Sequence, residues 1–510
     1  MEISIGKFTL ESLTTGMYSE PESCFREYIQ NAVDSLDSAI NQGIINLDAS
    51  RIEIIVDSNR RELSVKDNGT GINVEKASKT LLDIGNSTKT HASNRGFRGI
   101  GRLGGLSYCK KLSFCTTAKG EDKKTLITFD CDKLKELLIP GQGKESTLQA
   151  VIEQVTSVEV FEEQSSSHYF IVKMEGVDDI SSLLDIDVVK DYIVQVAPLP
   201  YDSRFFWGKQ IKDEMQNKGI VVAEYPIFIG ASFESLSQLY KPYKRHLDIS
   251  SRANATKDEI YGLSFFDVKN DKGDVLASGW YADTDFSGTL TDERVSGIRV
   301  RQGNILIGTS KTLSQYFKES RFNGWALGEL FVVSDELIPN ARRDDYEKNE
   351  AFTFFEQGVR ETVGTEISDK IRAASKARNN PSQKTVKKAE KTLGNTADIL
   401  ENGFNSSFEK EQVLDGIAII KRELKAIPKG ADPEVIEQKV ALLEKADELE
   451  EAVNESNNYR AKNNVSSDFS KDQKKIIQAV LEVLSRNFER ETVDSIFNEI
   501  LIEMRAKGKK

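Results

Sequence analysis

At 510 residues the chain is too long for a single hydrophobic core, and its length points to two to four domains. No run approaches about eighteen consecutive apolar residues, and the opening MEISIGKFTLESL lacks the basic-then-apolar layout of a signal peptide, so no membrane role is expected and the cytoplasm is the expected compartment. A formal net charge of −12 gives no general attraction to polyanions, and four cysteines without CxxC spacing beside only three histidines argue against a zinc site or a disulfide framework.

The segment YSEPESCFREYIQNAVDSLDSAINQG sets Ser19 and Glu22 in capping-box register and closes on Gly43, which predicts a helix of about six turns. At about 100° per residue, Glu27, Asn31 and Asp34 fall on one line while Phe25, Ile29, Ala32, Leu36 and Ile40 gather on the other side. A polar helix face is ordinarily just solvated, so a functional reading needs companions elsewhere. RIEIIVD and RELSVKD, joined by SNR, then predict an antiparallel strand pair over 51–57 and 61–67. The second strand runs into DNGTGI, which holds Asp67, Gly69, Gly71 and Ile72. A strand-end aspartate can accept from an exocyclic amine, and glycines let backbone approach a flat ring; a DNG alone is simply a good turn. Next come LLDIGNSTKT, with Lys89, and GFRGIGRLGGLSYC, whose Gly96, Gly99, Ile100, Gly101, Gly104 and Gly105 fit a loop with amides available to phosphates.

The order of these motifs resembles the Bergerat nucleotide-binding fold of the GHKL superfamily, which gyrase, heat-shock protein 90, histidine kinases, MutL and MORC ATPases share. The match covers roughly residues 19–106. It implies ATP and magnesium as cofactors, with Glu27 as the base that orients the attacking water and Asn31 holding the metal. Asp67 is then expected on the adenine amino group, Gly71 along the base, and Lys89 with Gly99, Ile100 and Gly101 on the phosphates. Asp34, Gly69 and Ile72 complete the expected ATP-binding set. The chain lacks GxxxxGK[ST], so it is not a P-loop ATPase. In one departure, the Gly-Thr pair that the family carries on a later strand is missing from SSSHYFIVKMEG, where His168 stands near the threonine position.

Strand-like runs from about 220 to 340, including GIRVRQGNILIG, predict a second α+β domain of the transducer type. Within it, SDELIPNARRDDYE (334–347) resembles the catalytic-loop segment of heat-shock protein 90 chaperones, which implies Arg343 as the catalytic arginine and Asn340 as the asparagine before it. The plainer alternative is a surface turn with Arg342 and Arg343 paired to Asp344 and Asp345. Beyond 365, SKARNNPSQKTVKKAEKTLG reads as a basic polar linker, followed by amphipathic runs at 408–427 and 435–453 that suit a helical hairpin or short coiled coil. Ile436, Val440, Leu443 and Ala446 form the stripe of the second run, and a last pair carries Ile476, Val480, Leu484 and then Val493, Phe497, Ile500, Met504 behind the capping-box-like SKDQ.

The expected class is therefore α+β: an ATP-binding Bergerat α/β sandwich at 1–205, a middle domain at 206–365, a linker at 366–400 and a helical region at 401–510. A homodimer is expected, because the carboxy-terminal stripes have little else of the chain to cover them. The functional expectation is a slow ATPase clamp of the chaperone type acting on a protein client or co-encoded partner. A MORC- or MutL-like DNA clamp using Lys376, Arg378, Lys384, Lys387, Lys388 and Lys391 is the alternative, and a nucleotide-gated, non-catalytic scaffold is the third reading.

Overall fold

A computed structural model describes residues 9, 20–84, 100–139, 147–178, 180–250, 257–431, 433–460 and 470–507. Helix α1 (Ser23–Asn41) has five turns rather than six, because residues 20–22 form a turn in which the Ser23 hydroxyl donates to the Glu20 carbonyl. Ser19 lies outside the described residues. The helix closes as expected at Gly43, whose φ is +68°. β1 (Ile52–Asp57) and β2 (Glu62–Asp67) form the predicted antiparallel pair, followed by α2 (Val74–Leu82). β3 (Lys111–Thr117), β4 (Lys123–Asp130), α3 (Cys131–Leu138), α4 (Leu148–Val155), β5 (Thr156–Glu162), β6 (Tyr169–Glu175) and α5 (Ile186–Val196) continue the domain.

The first sheet has eight strands in the order β5-β4-β3-β6-β2-β1-β7-β8, with β7 (Ile227–Gly230) parallel to β1 and β8 (Ser237–Gln238) beyond it. Alternation along β1 and β2 sends Ile52, Ile54, Val56, Leu63 and Val65 onto the apolar side of α1, where Phe25, Ile29, Val33 and Leu36 are buried. That contact fixes which way the other side of α1 points.

The sheet crosses the expected boundary at residue 205. α6 (Trp207–Asn217) leaves it to pack on the second domain, and the chain then returns to build β7 and β8. The second domain is a five-stranded sheet, β11-β12-β16-β14-β15, made from β11 (Gly262–Lys269), β12 (Val275–Asp283), β14 (Gly297–Gln302), β15 (Ile305–Leu306) and β16 (Leu327–Val332). GIRVRQGNILIG is its β14–β15 hairpin. β16 is buried along its whole length because both faces are covered: α7 (Glu350–Val359) packs on one side and α6 with its aromatic neighbours on the other. β9 (His246–Ser250), β10 (Lys257–Glu259) and β13 (Thr289–Leu290) form a small third sheet.

The stretch expected as a linker is helical. α7 continues through a π turn (Arg360–Thr365) into α8 (Glu366–Asn379), and α9 (Pro381–Asn402) begins at once, with Asn380 capping two amides and Pro381 in the first turn. Val386, Ala389 and Leu393 bury α9 against α10 (Ser407–Lys425) and α11 (Pro433–Glu455), so the expected hairpin is a three-helix unit. α12 (Lys471–Asn487) and α13 (Arg490–Lys507) share a small apolar cluster of their own and are tied to α10 by Arg490 on Glu409 at 3.0 Å and by Ser407 on Glu482, and Ser470 with Gln473 makes the capping box read from SKDQ. Val440 and Ile476 miss their expected stripes and are exposed, with Leu442, Ile477 and Leu481 buried instead, whereas Ala446, Val493 and Phe497 are buried and Ile436, Leu443 and Leu484 pack on the cores as expected. Among the described residues no helix is long and apolar enough to cross a membrane.

Candidate functional site

The polar line of α1 is set over the end of β2. Glu27 and Asp34 are buried and Asn31 is half-buried between them, so this is no solvated face. Asp67 ends β2, buried between Ile52 of β1 and Phe170 of β6. One of its carboxylate oxygens accepts the Gly69 amide at 2.9 Å, which folds the chain back toward α1. There Thr70 N–H donates to the Ser35 carbonyl at 3.3 Å, and a Cβ on Gly69 would come 2.1 Å from Ser35 Oγ. Gly71 has φ +62°, and its Cβ would fall 1.8 Å from the Thr117 carbonyl oxygen. Both glycines thus let the protein approach itself, which is a different need from the approach to a ring expected above.

His168 reaches the turn that follows Asp67. Its Nδ1 lies 2.8 Å from the Gly69 carbonyl, which requires the proton on that nitrogen, so the imidazole clamps the turn and Phe170 is the residue registered opposite Asp67. A hydroxyl is nevertheless present. Thr116, fully buried on β3, accepts the Ile72 amide at 2.9 Å and donates to the Tyr169 carbonyl at 2.9 Å, tying the turn to two strands.

Lys89 and Gly99, with Gly96, lie outside the described residues. Ile100 is buried and a 3₁₀ turn (Gly101–Leu103) packs on α1. A Cβ on Gly101 would come 2.0 Å from Glu27 Oε2, so backbone meets the carboxylate directly. Arg102 anchors this turn by donating to the Leu81 carbonyl at 3.0 Å and to that of Asp83; burial pulls its guanidinium down to about 10 despite the pull of Asp83.

The second domain completes the arrangement. Arg343 is buried and Arg342 exposed, and Arg343 Nε lies 3.7 Å from Glu27 Oε1. Arg343 sits in the left-handed region at φ +56°, in a turn where its amide donates to the Asn340 carbonyl and its carbonyl accepts the Gly308 amide at 2.8 Å. Asn340 Nδ2 in turn donates to Asp344 Oδ1 at 2.6 Å. The surface-turn alternative is thereby overturned for Arg343, whose side chain is drawn inward.

Arg26, which the sequence reading passed over, reaches across as well. Its Nη2 donates to the Arg342 carbonyl at 2.8 Å and its Nε lies 3.6 Å from Glu27 Oε1. Two guanidiniums thus approach one carboxylate from two domains, which places planar N–H donors beside Glu27. The donor set fits a purine nucleotide: a buried carboxylate for an amino group, a carboxamide for a hydrated cation, and backbone and guanidinium for phosphate.

Residues 18–162 match the family described as histidine kinase-, DNA gyrase B-, and HSP90-like ATPase. This segment is a GHKL-type domain. Over 186 residues the chain is also 26% identical to chaperone protein HtpG of Rickettsia canadensis (strain McKiel), an alignment covering 33% of this chain and 29% of the relative. The match therefore spans less than a third of that chaperone. The GHKL domain holds Glu27, Asn31, Asp34, Asp67, Gly69, Gly71, Ile72, Ile100 and Gly101, whereas Arg343 comes from outside the matched segment.

Proposed function

We propose that the chain is an ATP- and magnesium-dependent molecular clamp of the heat-shock protein 90 type, coupling slow ATP hydrolysis to closure on a protein client. The approach of Arg343 to Glu27 carries this reading, because it brings a cation from the second domain to the residue suited to act on water. Bound magnesium and ATP would supply the Lewis acid and the phosphoanhydride. Asp67 receives an amino hydrogen, Asn31 offers a neutral amide oxygen to the cation, and Glu27 orients water and accepts its proton. Arg343 offers planar donors to charge that develops only as the bond breaks. Turnover then waits on the domains being docked.

The helical region supports the homodimer, since Val440, Ile476, Val483 and Phe488 expose large apolar side chains there. A DNA clamp is less favoured: Lys388 is paired with Glu423 at 2.6 Å, and Lys391 rests 4.2 Å from the centre of the Tyr261 ring.

The test measures ATP binding calorimetrically and phosphate release at steady state, with and without duplex DNA. Asp67→Asn is expected to abolish binding and Glu27→Ala to retain binding but lose turnover. Unchanged affinity in the Asp67 variant overturns the pocket; turnover that rises only with DNA replaces the protein client by nucleic acid; and binding without turnover in the unaltered chain leaves the scaffold.

A further inference from the structure

A buried ionic cluster centred on Glu329 lies in the second domain, apart from Glu27 and Arg343. Glu329 of β16 is fully buried, and it accepts from Lys241 Nζ at 2.7 Å and 2.9 Å, from Arg301 Nε, and from the Tyr201 hydroxyl. Isolated charges would be costly here, and a buried pair is weak evidence of stability by itself; what such a group can do is fix one geometry. The geometry it fixes is that of the β14–β15 hairpin. Lys241 Nζ also donates to Asn304 Oδ1 at 3.0 Å, and Arg301 Nη1 donates to the Asn304 carbonyl at 3.1 Å.

The same hairpin is fastened to the first domain. Asn304 Nδ2 donates to the Ala223 carbonyl at 2.6 Å, and Ala223 packs on the core of the eight-stranded sheet. Arg301 Nη2 donates to the carbonyl of Gln195 at 3.0 Å, in the last turn of α5, while Ile305 and Leu306 pack on Val196 and Tyr192 of that helix. On its other side the hairpin holds both ends of the arginine loop. Gln302 Nε2 donates to the Leu337 carbonyl at 3.3 Å, and Gly308, which a Cβ would drive to 2.8 Å from the Asp344 carbonyl oxygen, donates its amide to Arg343.

We propose that Asn304 is a positioning residue: it pins the β14–β15 hairpin to the first domain and thereby holds the Arg343 loop in reach of Glu27. The inference rests on the proposed role of Arg343 at that site. Asn304 touches neither Glu27 nor Arg343, and it acts only through the hairpin. With φ at +60° it already occupies a backbone conformation that glycine adopts freely, so Asn304→Gly removes both side-chain hydrogen bonds and leaves the turn unstrained.

The experiment measures nucleotide affinity, kcat and KM in the full-length chain for Asn304→Gly, Arg343→Ala and the double variant. A misplacement of about 1 Å can cost about a hundredfold in rate. Asn304→Gly is therefore expected to lower kcat at least about tenfold with nucleotide affinity unchanged, and to add nothing once Arg343 is already alanine. Tyr201→Phe, which removes one donor to Glu329 and keeps the ring, is expected to act in the same direction and serves if the glycine variant does not fold. Full turnover in both Asn304→Gly and Tyr201→Phe, or losses that simply add to that of Arg343→Ala, overturn the positioning role. If Arg343→Ala itself is without effect, the underlying reading of the arginine has failed instead.

Discussion

Arg343 Nε, on a loop of the second domain, stands 3.7 Å from Glu27 Oε1 on the first helix of the GHKL domain, 316 positions earlier in the chain. Its neighbour Arg342 is exposed and contributes only its carbonyl, to Arg26. Arg343→Ala is therefore expected to lower kcat, by up to about a thousandfold where chemistry limits turnover and by less where closure does, with ATP affinity nearly intact. Arg342→Ala keeps the carbonyl and is expected to change little. Paired binding and phosphate-release measurements decide the matter, and an essential Arg342 beside a dispensable Arg343 would reverse the assignment.

Gly71→Ala meets two penalties at once, a left-handed φ and a carbonyl oxygen 1.8 Å from the new methyl. A loss of about 2 kcal/mol or more in unfolding free energy is expected, together with weakened ATP binding as the turn that carries Asp67 shifts. Gly43→Ala shares the positive φ, yet nothing lies within 4 Å of its Cβ, and it is expected to cost only about 1 kcal/mol. Urea titrations of both variants separate clash from backbone strain.

Glu329 gives the fold a defined acid sensitivity. Burial pushes its carboxyl upward, but Arg301 and Lys241 outweigh that and hold it at about 2, below the ordinary value of 4.5. Because the folded-state value is depressed, the stabilisation is complete above about pH 4.5 and is lost as pH falls toward 2. Melting temperatures between pH 6 and 2 are expected to fall through this window, and Glu329→Gln is expected to flatten the fall while lowering stability at neutral pH, since Lys241 and Arg301 lose their counter-charge.

Removal of the helical region is expected to give monomers with depressed turnover. The cut belongs before Pro381 and not at residue 400, because α9 is buried against α10 and α11 through Val386, Ala389 and Leu393. Light scattering with and without ATP reads the outcome, and an intact chain that stays monomeric at micromolar concentration removes the dimeric clamp.

The strand pair at 51–67 and the turn at Asp67 were legible because their signals are local: alternation, a short connection and glycines at fixed spacing. Arg343 was legible through a loop motif. Arg26, Thr116 and Asn304 were not, since each acquires its meaning from a partner that only the tertiary fold brings near. The misread linker shows the opposite failure. Lysines and Pro381 gave it the look of a spacer, yet Asn380 as cap, Pro381 in the first turn, and apolar residues at 386, 389 and 393 were the signs of a helix start. The misplaced positions at 440 and 476 arose where adjacent apolar residues left the period ambiguous by one or two positions, and packing chose between them.

The excursion of the chain through α6 and back into β7 has a mechanical consequence. The polypeptide passes between the two domain cores three times, near residues 200, 223 and 240. One tether permits a swivel, whereas three side by side act as the knuckles of a door, restricting separation to a flap about the line that joins them. Motion of Arg343 away from Glu27 is expected to follow that flap.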